Sequence, residues 1–282
     1  MDTISILAAL DEHYLPQLHV LLTSLRLNDP QEHMDLYLLQ SAISREGLAA
    51  VERQCAAFGY GFFPVEVEDA LFQNAPVTRQ YPKEMYYRLL ASRLLPGTLE
   101  RVLYLDPDIL VINPLRPLWE TDLEGHLFTA AAHTGKTELA NSVNRMRLNS
   151  GSDYYNSGVL LMDLEAARRE IDEAEMFRYV AEHKKELLLP DQNLLNAMYG
   201  RRILPVDDVL WNYDARNYNN YLLRSAGTHD LHWVMEHTAI LHFCGKAKPW
   251  KPGYVYRFGV LYQHYAQITR RICSEIGLSP LA

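Results

Sequence analysis

Short apolar runs alternate along this chain with longer segments whose apolar residues recur at helical spacing, and few folds accommodate that alternation. Ile4-Ser5-Ile6-Leu7-Ala8-Ala9 reads as a strand, and Leu15, Leu18, Leu21, Leu22 and Leu25 then mark a helix. Asp35 to Leu39 is the next strand. It leads into a helix with Ser44 as N-cap candidate, Leu48, Val51 and Cys55 as apolar stripe and Gly59 as stop signal. Phe62 to Val67 gives a third strand, and a helix is expected from about Met85 to the break at Pro96-Gly97. Val102-Leu103-Tyr104-Leu105 follows as a strand apolar on both faces, as in a sheet covered on both sides. The pattern predicts the α/β class, with a Rossmann-like, mostly parallel central sheet flanked by helices.

The second half is less regular. Strands are expected at Leu127 to Ala132, Ser157 to Met162, Ile203 to Val206 and Ala239 to Phe243, an exposed charged helix at Glu173 to Glu186, and another at Asp191 to Tyr199 closed by Gly200. No boundary precedes about Gly253, so residues 1–252 read as one catalytic domain and 253–282 as a helical tail. In the tail Tyr256, Phe258, Tyr262 and Tyr265 mix with Arg257, Arg270 and Arg271. That mixture suits two arrangements, peripheral contact with an anionic membrane surface or a helix packed on the main domain.

A chain of 282 residues, 48% of them hydrophobic, can bury a substantial core. A net charge of -8 without any block of Lys and Arg argues against nucleic acid as a partner. Three cysteines without a CxxC pair read as a reducing compartment. With no basic, apolar leader at Met1-Asp2-Thr3 and no apolar run long enough for a bilayer, the expected location is the cytoplasm, or peripherally the inner face of the membrane.

Asp106-Pro107-Asp108 is the strongest local signal for chemistry, because it stands where a buried apolar strand emerges at its C-terminal end, and ligands of open α/β sheets gather at such ends. Two carboxylates at this spacing can share one hard divalent cation, which in turn can neutralise a diphosphate in an acidic protein; the plainer reading is a capped strand end. There is no Walker A sequence and no G-x-G-x-x-G after the first strand, so the usual backbone phosphate cradles are missing. Near the end, His242-Phe243-Cys244-Gly245-Lys246-Ala247-Lys248 offers an imidazole, a glycine permitting close backbone approach and a lysine able to meet phosphate. Alone, His242 reads more readily as a satisfied core histidine.

The order of Ala9-Leu10-Asp11, Tyr87-Arg88-Leu89, Leu103 to Asp108, Asn156-Ser157-Gly158-Val159-Leu160-Leu161, Pro190-Asp191-Gln192-Asn193 and His242-Phe243-Cys244-Gly245 resembles the family 8 retaining glycosyltransferases. These include bacterial lipopolysaccharide and lipo-oligosaccharide hexosyltransferases and glycogenin. The similarity spans roughly residues 4 to 252 and implies a GT-A type fold. By position, Asp106, Asp108 and His242 match the family's ligands for Mn2+ (or Mg2+), and Ala9 and Asp11 match contacts to uracil and ribose. Arg88, Asn156, Asp191 and Gln192 match residues around the donor sugar, with Gln192 and Asp191 as the catalytic candidates. Gly245 and Lys248 match those gripping the diphosphate. Two departures bear on the donor: His13 stands where a relative has an Asn, and Ala132-His133 replaces a stretch where an Asp commonly helps to bind sugar.

The resemblance implies transfer of glucose or galactose from UDP-glucose or UDP-galactose to an oligosaccharide or glycolipid acceptor with retention. Ligation needs a neutral imidazole, so cation affinity is expected to weaken as pH falls toward about 6. A sugar nucleotidyltransferase would bring a Gly-rich basic loop near the first strand, and Ala8 to Tyr14 holds neither Gly nor Lys. A non-catalytic sugar-nucleotide or glycan-binding protein is the other alternative. Three further features remain, the first two with two readings each. His229, His232 and His237 suggest zinc or surface histidines; Tyr81, Tyr86, Tyr87, Trp211, Tyr213, Tyr218 and Tyr221 suggest acceptor stacking or core; Phe72 to Glu84 suggests a lid.

Overall fold

The expected alternation is what forms. In the computed structural model, which describes residues 2–68, 72, 75, 84–132, 153–183 and 190–278, β1 (Ile4–Ala9), α1 (Leu15–Asn28), β2 (Met34–Gln40), α2 (Arg45–Phe58) and β3 (Gly61–Glu66) succeed one another. Ser44 caps α2 by accepting from Gly47 N, and Gly59 ends it in the left-handed region at φ 73°. Leu18, Leu21, Leu22 and Leu25 are at most 1% exposed, and each such side chain contributes roughly 1.5–3 kcal/mol through burial.

The helix expected from Met85 to Pro96 is two short ones, α3 (Glu84–Tyr87) and α4 (Ala91–Leu94). Between them the Arg88 side chain reaches for Ser157 and Asp106, and Leu95 turns extended at ψ 155° because Pro96 disfavours a helical predecessor. β4 (Arg101–Leu105), β5 (Ile109–Val111), α5 (Arg116–Trp119), β6 (Phe128–Ala131), β7 (Val159–Asp163), α6 (Leu164–Glu170), α7 (Glu173–Glu182), α8 (Pro190–Tyr199) and β8 (Ile203–Val206) follow. Last come α9 (Asp208–Trp211), β9 (Tyr213–Asp214), α10 (Tyr218–Arg224), α11 (Leu231–His237), β10 (Ile240–His242) and α12 (Gly259–Glu275). The α7 helix is not exposed all round, since Met176, Phe177 and Val180 are buried.

Among the described residues a seven-stranded sheet in the order β3-β2-β1-β4-β7-β6-β8 forms the centre. Pairs β3/β2, β2/β1, β1/β4 and β6/β8 are parallel, while β7 runs antiparallel to β4 and β6. The expected mostly parallel sheet flanked by helices is therefore the one observed. A second sheet, β5-β10-β9, was not anticipated, because three-residue and two-residue strands are too short to carry a period. Helix α12 lies on α1, with Tyr262, Thr269 and Cys273 buried, and leaves Val255, Tyr256 and Val260 exposed. Among the described residues no helix is long and apolar enough to cross a membrane.

One polar cluster lies inside the layer between α1 and α2. His19 is fully buried, its Nδ1 facing Gln54 Oε1, while Gln54 Nε2 donates to His19 O and to Thr23 Oγ1, both at 3.1 Å. His19 Nε2 has no partner among the described residues, and burial pushes the imidazole below its ordinary value. The unfolded chain thus takes up this proton more readily. The contribution to stability is complete above about pH 6.5 and is lost as pH falls from there through the lowered folded value. The melting temperature of His19→Asn, which has no such proton to gain, should fall less steeply between about pH 7 and pH 5 than that of the wild type. Parallel slopes would show that His19 does not drive acid destabilisation.

Candidate active site

Strand β4 delivers Asp106 to the carboxyl edge of the central sheet, where its N–H donates to Gly158 O at 2.8 Å. The Asp-Pro-Asp turn then feeds β5, and the antiparallel register of β5 with β10 sets Ile109 opposite His242, while Phe243 N donates to Asp108 O at 3.0 Å. Two residues distant in sequence, Asp108 and His242, are brought together by this register. His242 Nε2 lies 3.2 Å from Asp108 Oδ1 and 3.8 Å from Asp106 Oδ2, and one ligand atom from each of the three residues falls within 4.8 Å of the others.

This donor set fits a divalent cation. It offers two carboxylates and one imidazole nitrogen, hard oxygens with one softer nitrogen, as divalent cations take. Gly158 forms the floor: a Cβ there would stand 2.3 Å from His242 Cε1 and 2.7 Å from Asp106 Oδ2. The carboxylates have partners of their own. Lys248 Nζ pairs with Asp108 Oδ2 and donates to Phe243 O at 2.9 Å. Asp106 Oδ1 accepts from Tyr104 OH at 2.6 Å and lies 3.1 Å from an Arg88 guanidinium that also covers the Tyr104 ring.

Burial alone would push the Asp108 carboxyl up, but the adjoining His242 and Lys248 charges hold it well below the usual carboxylate range. Burial likewise disfavours a charged His242, yet Cys244 and Asp108 on balance raise its value. Because burial pushes the Cys244 thiol up and leaves it uncharged, the Asp108 carboxylate is the effective cause. Protons therefore compete for His242 from a higher pH than the free imidazole value assumed from sequence.

Of the other expected residues, Arg88, Asn156, Gln192 and Lys248 gather at this edge, Ala9 ends β1 beside it, and Gly245 lies in the turn that follows β10. Asp11 is exposed and caps the turn Glu12–Tyr14, accepting from His13 N at 2.9 Å. Gly245 takes φ 80°, a left-handed backbone that favours glycine, and the Arg216 guanidinium lies over the space a Cβ would fill. The side chain of Asp191, and His133, Tyr81 and most of Phe72 to Glu84, lie outside the described residues.

Sequence reasoning missed Tyr104 as a partner of Asp106, and Asn212, whose Oδ1 meets His242 Nδ1 at 2.8 Å. Asn212 ends a four-residue helix and carries no pattern of its own. The histidine trio does not converge: His229 and His237 stack on Trp233 from either side, and His232 Nε2 meets Glu236 at 3.1 Å. Tyr86, Tyr87, Tyr213, Tyr218 and Tyr221 are core residues, so the aromatic content of this region is mostly packing.

A sequence profile described as glycosyl transferase family 8 matches residues 5–252. General stress protein A of Bacillus subtilis is 26% identical over 95% of this chain and 95% of its own length. Lipopolysaccharide 1,2-glucosyltransferase of Escherichia coli is 24% identical over 90% of this chain and 75% of its own. Among solved structures, the galactosyltransferase LgtC in complex with donor and acceptor sugar analogs superposes with a TM-score of 0.77, at 25% identity, across 94% of this chain and 96% of that one. The shared sheet and flanking helices make this a GT-A fold.

Proposed function

We propose that this chain, which belongs to glycosyl transferase family 8, moves glucose or galactose from a UDP-sugar to an oligosaccharide or glycolipid acceptor and retains the anomeric configuration. The observation that carries the reading is the convergence of Asp106, Asp108 and His242 over the Gly158 floor, with Lys248 alongside. Similarity to a lipopolysaccharide glucosyltransferase and to LgtC with its sugar analogs supports the substrate class.

A divalent cation, Mn2+ or Mg2+, held by Asp106, Asp108 and His242 would neutralise the negative charge that grows on the departing UDP. Lys248 adds a second positive charge beside the diphosphate, and Gly245 lets the backbone approach it. Ala9 at the end of β1 and Asp11 in the turn after it meet uracil and ribose. Arg88 and Asn156 orient the hexose. Gln192 or Asp191 stands against the other side of the anomeric carbon, steadying its positive charge or, for Asp191, attacking it. A glycolipid acceptor would bring the enzyme to the inner face of a membrane. Exposed Val255, Tyr256 and Val260 around Arg257 suit peripheral contact there.

The test is UDP release from a panel of UDP-hexoses, with Mn2+ and no acceptor, followed by proton NMR of the first glycoside made. UDP-glucose or UDP-galactose should turn over slowly, and the product should be the α-anomer. Silence across the panel would sink the donor reading, and a β-linked product would sink retention.

A further inference from the structure

We infer that Asn212 is a positioning residue: it fixes the tautomer of His242 and ties that ring to Gln192 through Asn156. The inference rests on the proposal that Asp106, Asp108 and His242 hold a cation, and concerns how His242 is made ready for it.

The direction of the chain is set by one group that can only donate. Gly158 N–H meets the Asn156 side chain at 2.9 Å, so the atom facing it is Oδ1. Asn156 Nδ2 is thereby turned to Gln192, whose facing atom at 3.0 Å must accept and is Oε1. The same Asn156 Oδ1 is 2.9 Å from the Asn212 amide, which must present Nδ2. Asn212 Oδ1 then faces His242 Nδ1 at 2.8 Å, and an amide oxygen only accepts, so Nδ1 carries the proton. In the neutral ring the Nε2 lone pair is then the one directed at Asp106 and Asp108, as a ligand requires.

Each assignment follows from the one before it and none depends on a free choice of amide orientation. Asn212 and His242 are buried, so water does not compete for these bonds. A supporting hydrogen bond of this kind orients a ligating imidazole and raises its basicity. The helix carrying Gln192 is pinned to the same region by Asn196, which donates to Gln192 O and to Tyr155 O, both at 2.8 Å.

The test combines two variants and one spectrum. Mn2+ binding in the presence of UDP, read from the electron paramagnetic signal of the free ion, should weaken about 10- to 100-fold in Asn212→Leu. Asn212→Asp, which keeps an oxygen for Nδ1–H, should stay within a few-fold of wild type, although it sets a second oxygen against Asn156 and slows transfer. Equal loss in both variants would mean a packing defect, and no loss in a folded Asn212→Leu would mean that Asn212 does not prepare the ligand; either overturns the inference. Long-range proton–nitrogen NMR of His242 in the unmutated protein needs no variant to fold. Nδ1 should carry a proton with or without added Mg2+ and UDP, and a ring protonated at Nε2 alone overturns the inference. Failure of the wild type to bind Mn2+ would instead defeat the proposed function, and this spectrum would still decide the tautomer.

Discussion

Replacing Gly158 with alanine should lower donor turnover by about 100-fold or more while leaving the protein folded. The added methyl would fall 2.3 Å from His242 Cε1, 2.7 Å from Asp106 Oδ2 and 3.1 Å from Asn156 Oδ1, against about 3.5–4.0 Å for an ordinary carbon contact. None of these walls yields easily. His242 is held by β10 and Asn212, Asp106 by Tyr104 and Arg88, and Asn156 by Gly158 itself. The methyl therefore pries the site apart by about an ångström, at the point where geometry matters most to rate. Gly158 does not occupy the left-handed region, so its backbone accepts alanine and the loss should be confined to the site. Gly97→Ala is the control, because a Cβ there meets nothing within 4 Å. UDP release and a thermal melt on both variants decide the matter. Turnover of Gly158→Ala within a few-fold of wild type would show that the floor is not tight.

The ease with which parts of this molecule are read from sequence follows the range of the interactions that form them. Strands β1 to β4 and helices α1 and α2 are written locally, in apolar runs, helical spacing and the Ser44 and Gly59 caps. Failure begins where a tertiary partner overrides the local pattern. The stretch after Met85 has helical spacing throughout, but Arg88 is drawn to Asp106 and Ser157 and the helix divides. The site shows the same division. Asp106 and Asp108 announce themselves by ending a buried apolar strand, whereas their meeting with His242 depends on the register of a sheet whose strands are two or three residues long. No spacing rule reaches across that distance, and the resemblance to a known family supplied the link. Asn212 lay beyond both routes, since an asparagine after a short helix looks like any turn residue until its neighbours are in place.

Removing the charge of Asp108 or the ring of His242 should abolish the gain in UDP affinity that Mn2+ confers. In wild type, chelator should end turnover and Mn2+ restore it. Asp108→Asn keeps the shape but strips the group that pairs with Lys248 and faces His242 Nε2 at 3.2 Å. His242→Ala removes the only nitrogen of the three-residue donor set. A loss of at least about 100-fold in metal-dependent affinity, about 2.8 kcal/mol, is expected for each. The pH dependence separates them further. A cation must displace any proton on His242 Nε2, and Asp108 raises the pH at which that proton is held, so wild-type affinity should already be falling while pH is still above about 6.5, the ordinary imidazole value, and should go on falling below it. Asp108→Asn removes the cause of the raised value, so what binding remains should start to fall at a lower pH; His242→Ala has no such proton and should lose this fall altogether. Calorimetric titration of UDP with and without Mn2+ across that range measures every term. Equal affinity in all of these conditions would leave the two aspartates as caps on the end of β4, with Lys248 as their counter-ion and His242 as an ordinary buried histidine.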